Sequence, residues 1–173
     1  MKKILLLFSA VGMLSLTGCN NDDYDEDTIA EVFETPSLTF TAAGNYKVGL
    51  TLNPQLLPAD MVLVYRLTFD PNIPNTDVWE LIPRTLYINN GTDILDEIDY
   101  DYNFTQQDIL FRMTSNTDLA IYPQFTQNQI FRVVIIPGYR SDLRVSADGL
   151  NEFEDYNATI AKYGIKENTI KKL

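Results

Sequence analysis

The stretch Ile98-Asp99-Tyr100-Asp101-Tyr102-Asn103-Phe104 alternates apolar and polar side chains without a break. A period of two puts Ile98, Tyr100, Tyr102 and Phe104 on one face and Asp99, Asp101 and Asn103 on the other. That is the pattern of a half-buried strand, not of a helix. Residues 109–114 resume the alternation after Thr105 to Asp108, a segment of the right length for a tight turn. Matching apolar with apolar sets Phe104 opposite Ile109, Tyr102 opposite Phe111 and Tyr100 opposite Met113, with Asp101 facing Arg112 on the outer side. A slip of one residue would set Asp101 against Phe111 and bury its charge, so this register is strongly specified. The outer pair is expected to contribute a few tenths to about 1 kcal/mol.

The same period organises most of the chain beyond residue 36. Residues 37–41 and 46–52 flank Ala43-Gly44-Asn45 as an expected hairpin. In residues 61–69, Leu63, Tyr65, Leu67 and Phe69 oppose Val62, Val64, Arg66 and Thr68. Residues 78–82 carry the only tryptophan, Trp79, and Pro83 then implies an edge or a bulge. Residues 84–88 run into Asn90-Gly91, a strong hairpin-turn signal. Residues 130–136 complete the set, and both 109–114 and 130–136 carry an arginine opposite their apolar side chains. Short strands with no helical pattern between them predict an all-β fold: an antiparallel sandwich of immunoglobulin-like architecture. After Pro137-Gly138 the period changes. Leu150, Phe153, Tyr156, Ile160 and Tyr163 recur at helical steps and Gly164 follows, so one short C-terminal helix is expected. Asp148, Glu152, Glu154 and Asp155 suit its cap and first turn.

The N-terminus is of a different kind. Lys2 and Lys3 precede an apolar run from Ile4 to Leu16, which is shorter than the about 20 residues a membrane-spanning helix needs and has the layout of a secretory signal. Leu16-Thr17-Gly18-Cys19 ends that run and resembles the bacterial lipobox. The resemblance implies diacylglycerol on the Cys19 sulfur and cleavage before it, so residues 1–18 are expected to be a removed signal peptide. Two or more acyl chains make a durable membrane anchor. Cys19 is the only cysteine, which excludes an intrachain disulfide and leaves the domain to stand on its core. Residues 19–36 read as an acidic flexible tether of roughly 25 Å average reach. Its Asp22, Asp23, Asp25, Glu26 and Asp27 resemble the surface-export signal of Bacteroidetes-type lipoproteins. Residues 37–173 are then a single domain.

Composition excludes several functions. A formal charge of −11 leaves no cationic surface to displace counterions from phosphate, so nucleic acid is not an expected partner. With no histidine in the chain, Ser-His-Asp and Cys-His nucleophile systems, His-ligated zinc and imidazole acid–base chemistry are all excluded. Asp99-x-Asp101-x-Asn103 begins like a calcium loop, but Phe104 stands where its turn glycine belongs and Leu110 where its closing glutamate belongs. An exposed strand face accounts for the alternation, and no metal or other cofactor is expected. Nothing resembles a nucleophile–base pair, so no catalytic residue is assigned. Tyr87, Trp79 and Tyr122 lie near expected loops, where rings could stack on sugars. Arg66, Arg112 and Arg132 could form an anion site, or pair across strands with Asp99 and Asp101.

Val62-Leu63-Val64-Tyr65-Arg66, Val78-Trp79-Glu80-Leu81-Ile82-Pro83, Asn90-Gly91-Thr92 and Gln129-Ile130-Phe131-Arg132-Val133-Val134 resemble a group of small Bacteroidetes lipoproteins. The resemblance implies an outer-membrane protein held by its N-terminal acyl chains, on the cell surface or facing the periplasm. The expected role is a non-enzymatic binding or adhesion module with a protein or glycan partner. The alternative is a periplasm-facing structural accessory of an outer-membrane complex, and a carboxylate-based hydrolase comes third.

Overall fold

The computed structural model describes residues 29–70, 72, 76–91, 94–138 and 149–173. The signal peptide, Cys19 with its lipobox residues Leu16, Thr17 and Gly18, and Asp22, Asp23, Asp25, Glu26 and Asp27 lie outside the described residues, as does Asp148. Among the described residues, nine strands form two sheets: β1 (Glu31–Glu34), β2 (Lys47–Thr51), β3 (Met61–Phe69), β4 (Asp77–Ile82), β5 (Arg84–Ile88), β6 (Asp96–Phe104), β7 (Asp108–Ser115), β8 (Phe131–Ile136) and β9 (Lys171–Lys172). One sheet runs β4-β3-β8-β1-β9 and the other β2-β7-β6-β5. All pairings are antiparallel except β1 with β9. The chain passes from the first sheet to the second between β4 and β5, at the cis peptide before Pro83. The molecule is the expected all-β sandwich.

The β6–β7 register is the one the alternation predicts, with Asp101 opposite Arg112 and Tyr102 opposite Phe111. Between the sheets, Val62, Val64, Ile82, Ile98, Tyr100, Ile109, Phe111, Phe131 and Val133 form one core. The first sheet is covered on its other face too, which the strand pattern alone does not reveal. There Leu63, Tyr65, Trp79, Val134 and Ile136 pack on Phe153 and on α2 (Tyr156–Lys162) through Tyr156 and Ile160. β8 therefore has apolar side chains on both faces, and its Arg132 is buried instead of solvated.

The expected C-terminal helix is present but divided. A 3₁₀ turn (Gly149–Phe153) precedes α2, which restarts at Asp155, whose carboxylate accepts from the Ala158 N–H at 3.1 Å. That satisfies a backbone donor left open at the helix start. α2 ends where Gly164 takes φ 70°, with Ile165 N–H bonded to the Ile160 carbonyl at 2.9 Å and Gly164 N–H to that of Ala161 at 3.2 Å. This paired closure needs a left-handed residue that glycine adopts without a Cβ penalty.

Two expectations are corrected. Residues 37–41 do not form a hairpin with 46–52. Asn45 and Tyr46 both take positive φ, β2 pairs with β7, and Leu38 instead bridges Gln129. Docking Val48 and Leu50 beside Phe111 and Ile109 buries more apolar surface than a two-stranded ribbon could. Nor does the tether run to residue 36, because 31–34 are β1, hydrogen-bonded between β8 and β9. Its Val32 joins the helix-side core, and the charge of Glu34 is met by Arg132 at 3.3 Å and Lys172 at 2.9 Å.

Candidate functional site

The strands give the sandwich two distinct ends. Tyr102 donates its hydroxyl to the Val62 carbonyl at 2.7 Å, and the Arg66 guanidinium lies 4.4 Å from the Tyr100 ring. The start of β6 therefore lies at the same end as the finish of β3. β5 ends there as well, since Ile88 pairs with Asp96, and so does β7, since Ser115 pairs with Ile98. The chain comes into the domain at the other end, where Ile29 and Ala30 precede Glu31, the partner of Ile135.

At the end away from Ile29 lies an open groove of about 750 Å³, bounded by the finish of β3, the start of β4 and α1 (Pro123–Thr126) with the turn after it. Phe69 stands on its rim, 66% exposed, and Phe125 and Asp77 also line it. Its floor is made by Arg66 and Gln129, each 6% exposed. Gln129 is held on both sides of its amide. Its nitrogen donates to the carbonyls of Gln127 at 2.6 Å and Gln124 at 3.0 Å, and its oxygen accepts from Arg66 Nε at 2.9 Å. Its backbone is fixed by the paired 2.8 Å bonds with Leu38. Asn128, in the left-handed conformation that asparagine tolerates, turns the chain and accepts from the Ser37 hydroxyl at 3.2 Å.

Arg66 is set between rings, 4.4 Å from the centroid of Tyr100 and 5.9 Å from that of Phe125. Tyr100 donates to the Phe125 carbonyl at 2.5 Å. Burial pushes its phenol up to about 12, against the opposing pull of the Arg66 charge. Glu80, the cross-strand partner of Arg66, is engaged by Arg84 at 3.4 Å. Among the described residues, no carboxylate comes within ion-pair distance of Arg66; its guanidinium has the neutral Gln129 oxygen and the Tyr100 hydroxyl as hydrogen-bond partners.

The residues singled out by sequence do not converge on this groove. Trp79 is 9% exposed, stacked under Arg132 at 4.0 Å, and Tyr122 bonds to Asp96, which raises its pKa. Of the three expected loop aromatics only Tyr87 stands in solvent, so they make no joint platform. The arginines part company as well. Arg112 pairs with Asp101 as expected, whereas Arg132 bonds Glu34, Glu167 and Tyr156, and Asp99 accepts from Thr85 and Thr114. Arg66 and Arg132 occupy opposite faces of one sheet, so the three arginines form no single site. Sequence reasoning missed Phe69, Phe125 and Gln129 as groove residues. The available signal was Arg66 on the inner face of its strand, with Val64 and Val62 two and four residues before it.

Nothing matches this chain among known protein-family models, curated proteins or solved structures. Among the described residues, no helix is long and apolar enough to cross a membrane.

Proposed function

We propose that this chain is a non-enzymatic binding or adhesion module of the outer membrane, anchored by acyl chains on Cys19, with the groove beside Phe69 as its ligand site. One observation carries the reading: an exposed ring and a set of immobilised polar groups share an open groove at the end of the sandwich opposite Ile29. A chain tethered through its N-terminus has that end free to meet a partner. The groove offers a guanidinium, amides and ring faces, which hold a ligand and do not attack one. Its single described carboxylate, Asp77, is one short of the acid pair that glycoside hydrolysis requires.

The test has two parts. Mass spectrometry of the mature protein should find a lipid-modified Cys19 at the new N-terminus, and a free thiol or an uncut terminus would remove the anchor. Phe69→Ala should then abolish retention of envelope glycan or partner cells without altering the melting temperature. Unchanged retention would refute the groove as the ligand site.

A second reading has its own support. Ile94, Leu95 and Ile121 are exposed at the same end, where the Asn116 amide bonds the Leu95 carbonyl at 3.1 Å. Exposed apolar side chains at one end of a domain suit a protein surface, as for a periplasm-facing accessory. Protease added to intact cells decides between the two: loss of the domain supports surface display, and survival until permeabilisation supports the accessory.

A further inference from the structure

We infer that the groove recognises an acidic sugar through a carboxylate that meets the Arg66 guanidinium, while Phe69 and Phe125 offer their ring faces to the pyranose. This deepens the binding-module reading and rests on it. A guanidinium removed from water is costly unless something compensates its charge. Here the compensation inside the protein is incomplete. Arg66 is 6% exposed, meets only neutral partners in the Gln129 oxygen, the Tyr100 hydroxyl and two ring faces, and has no carboxylate within ion-pair distance among the described residues. Its two Nη groups form the planar fork that matches a carboxylate with two parallel bonds, and the residue lines the open groove.

The same surroundings narrow the anion. Among the described residues, Arg66 is the only cationic side chain lining the groove, and Asp77 stands on its rim. One positive charge balances one negative, so a monoanion fits, and a phosphate dianion would leave charge unbalanced in a partly dry site. Phe69, exposed beside Thr68, Thr76, Gln124 and Asn128, supplies an apolar face among hydroxyls and amides, the mixture a sugar ring needs. The chain's net charge of −11 works against anions at long range, so recognition must come from the short, desolvated contact.

The experiment is calorimetric titration of the mature chain in detergent with oligosaccharides of glucuronate, galacturonate and N-acetylneuraminate. Each is run beside its carboxyl-reduced counterpart and beside a sulfated neutral oligosaccharide. The expected result is that at least one acid binds about tenfold or more tighter than its reduced form, the scale of a hydrogen bond to a charged group. Arg66→Gln should erase that preference and Arg66→Lys should restore part of it. Because Arg66→Gln could destabilise the sandwich, the acid-versus-reduced comparison on the unaltered protein stands as a test by itself. Equal affinity for acid and reduced forms, no binding of any acid, tighter binding of the sulfated sugar, or a preference that survives Arg66→Gln would overturn the inference. The broader reading is judged separately by Phe69→Ala on whole-partner retention, so a groove that ignores the carboxyl but loses its partner in that variant refutes only the acidic-sugar assignment.

Discussion

Arg132 should be the costliest polar side chain to remove. It stands on central strand β8 with its side chain about nine-tenths buried, bonded through Nε to Glu34 at 3.3 Å. Nη1 bonds the Tyr156 hydroxyl at 2.8 Å and Glu167 at 2.9 Å, and the guanidinium lies 4.0 Å from the Trp79 ring. One side chain thus joins β8, β1, β4, α2 and the C-terminal turn. Replacing it with methionine keeps much of the volume but strands the Glu34 carboxylate, left with only Lys172, whose own side chain is mostly solvated. Breaking a buried pair costs about 3–5 kcal/mol, and the stacked cation adds about 1–2. Lys172 and the new apolar contacts offset part of this, so about 3 kcal/mol is expected for Arg132→Met. With a urea slope of about 2 kcal/mol per molar, the midpoint falls by about 1.5 M. The fluorescence of Trp79, the only tryptophan, reads the transition from the layer being perturbed. The double variant Arg132→Met/Glu34→Gln should be more stable than Arg132→Met alone, because it removes the stranded charge. A double variant less stable than the single one, or an Arg132→Met midpoint equal to the parent's, would refute the argument.

Three further outcomes follow from other parts of the molecule. Tyr65, Tyr100 and Tyr156 are buried phenols whose ionisation burial opposes; Tyr100 and Tyr156 reach about 12 and Tyr65 also lies above its ordinary value of 10.0. The folded state therefore keeps protons that the unfolded chain loses, and stability should fall as pH rises from 10 toward 12. The slope is about 1.4 kcal/mol per pH unit for each phenol, readable by urea melts across that range, and a flat profile would contradict it. Asp101→Asn should cost no more than about 1 kcal/mol, since Asp101 and Arg112 have side chains 30% and 41% exposed; a larger loss in a double-mutant cycle with Arg112 would show that solvent screens the pair less than supposed. Gly138→Ala should destabilise by about 1–3 kcal/mol, because its Cβ would sit 1.9 Å from the Ala59 carbonyl oxygen, and a neutral effect would mean that this backbone yields freely.

How far the fold was legible depends on where each strand's partner lies. β6 and β7 are joined by a short turn, so the alternation in each constrained the other and the register could be read. β3, β4, β5 and β8 were legible as strands from the residue pattern within each run, though not their order in the sheets. β1 was not legible. Glu31-Val32-Phe33-Glu34 sits beside an acidic run and looks solvated, and what makes it a strand is Arg132, 98 residues away. Trp79 was misplaced for a related reason. Its neighbours in sequence suggest a loop mouth, while the C-terminal residues that cover it, Tyr156 above all, carry a helical period that does not say which sheet face they cover.

The groove was hidden by the same non-local physics. An arginine in an alternating strand reads as a solvent-facing residue, and for Arg112 that reading is right. Arg66 differs because α1 and the Gln127–Gln129 turn fold back over the end of β3, drawn there by Leu38 pairing with Gln129 and by Phe40 bonding the Thr126 carbonyl at 2.8 Å. Phe40, 2% exposed, plugs the end of the core, so the segment after the acidic run closes the sandwich and holds the turn that packs beside the arginine. A binding site placed there is built from the cap of the core. It follows that Phe40, which touches no ligand in this reading, and Gln129 on the groove floor set the position of the guanidinium as firmly as the strand that carries it.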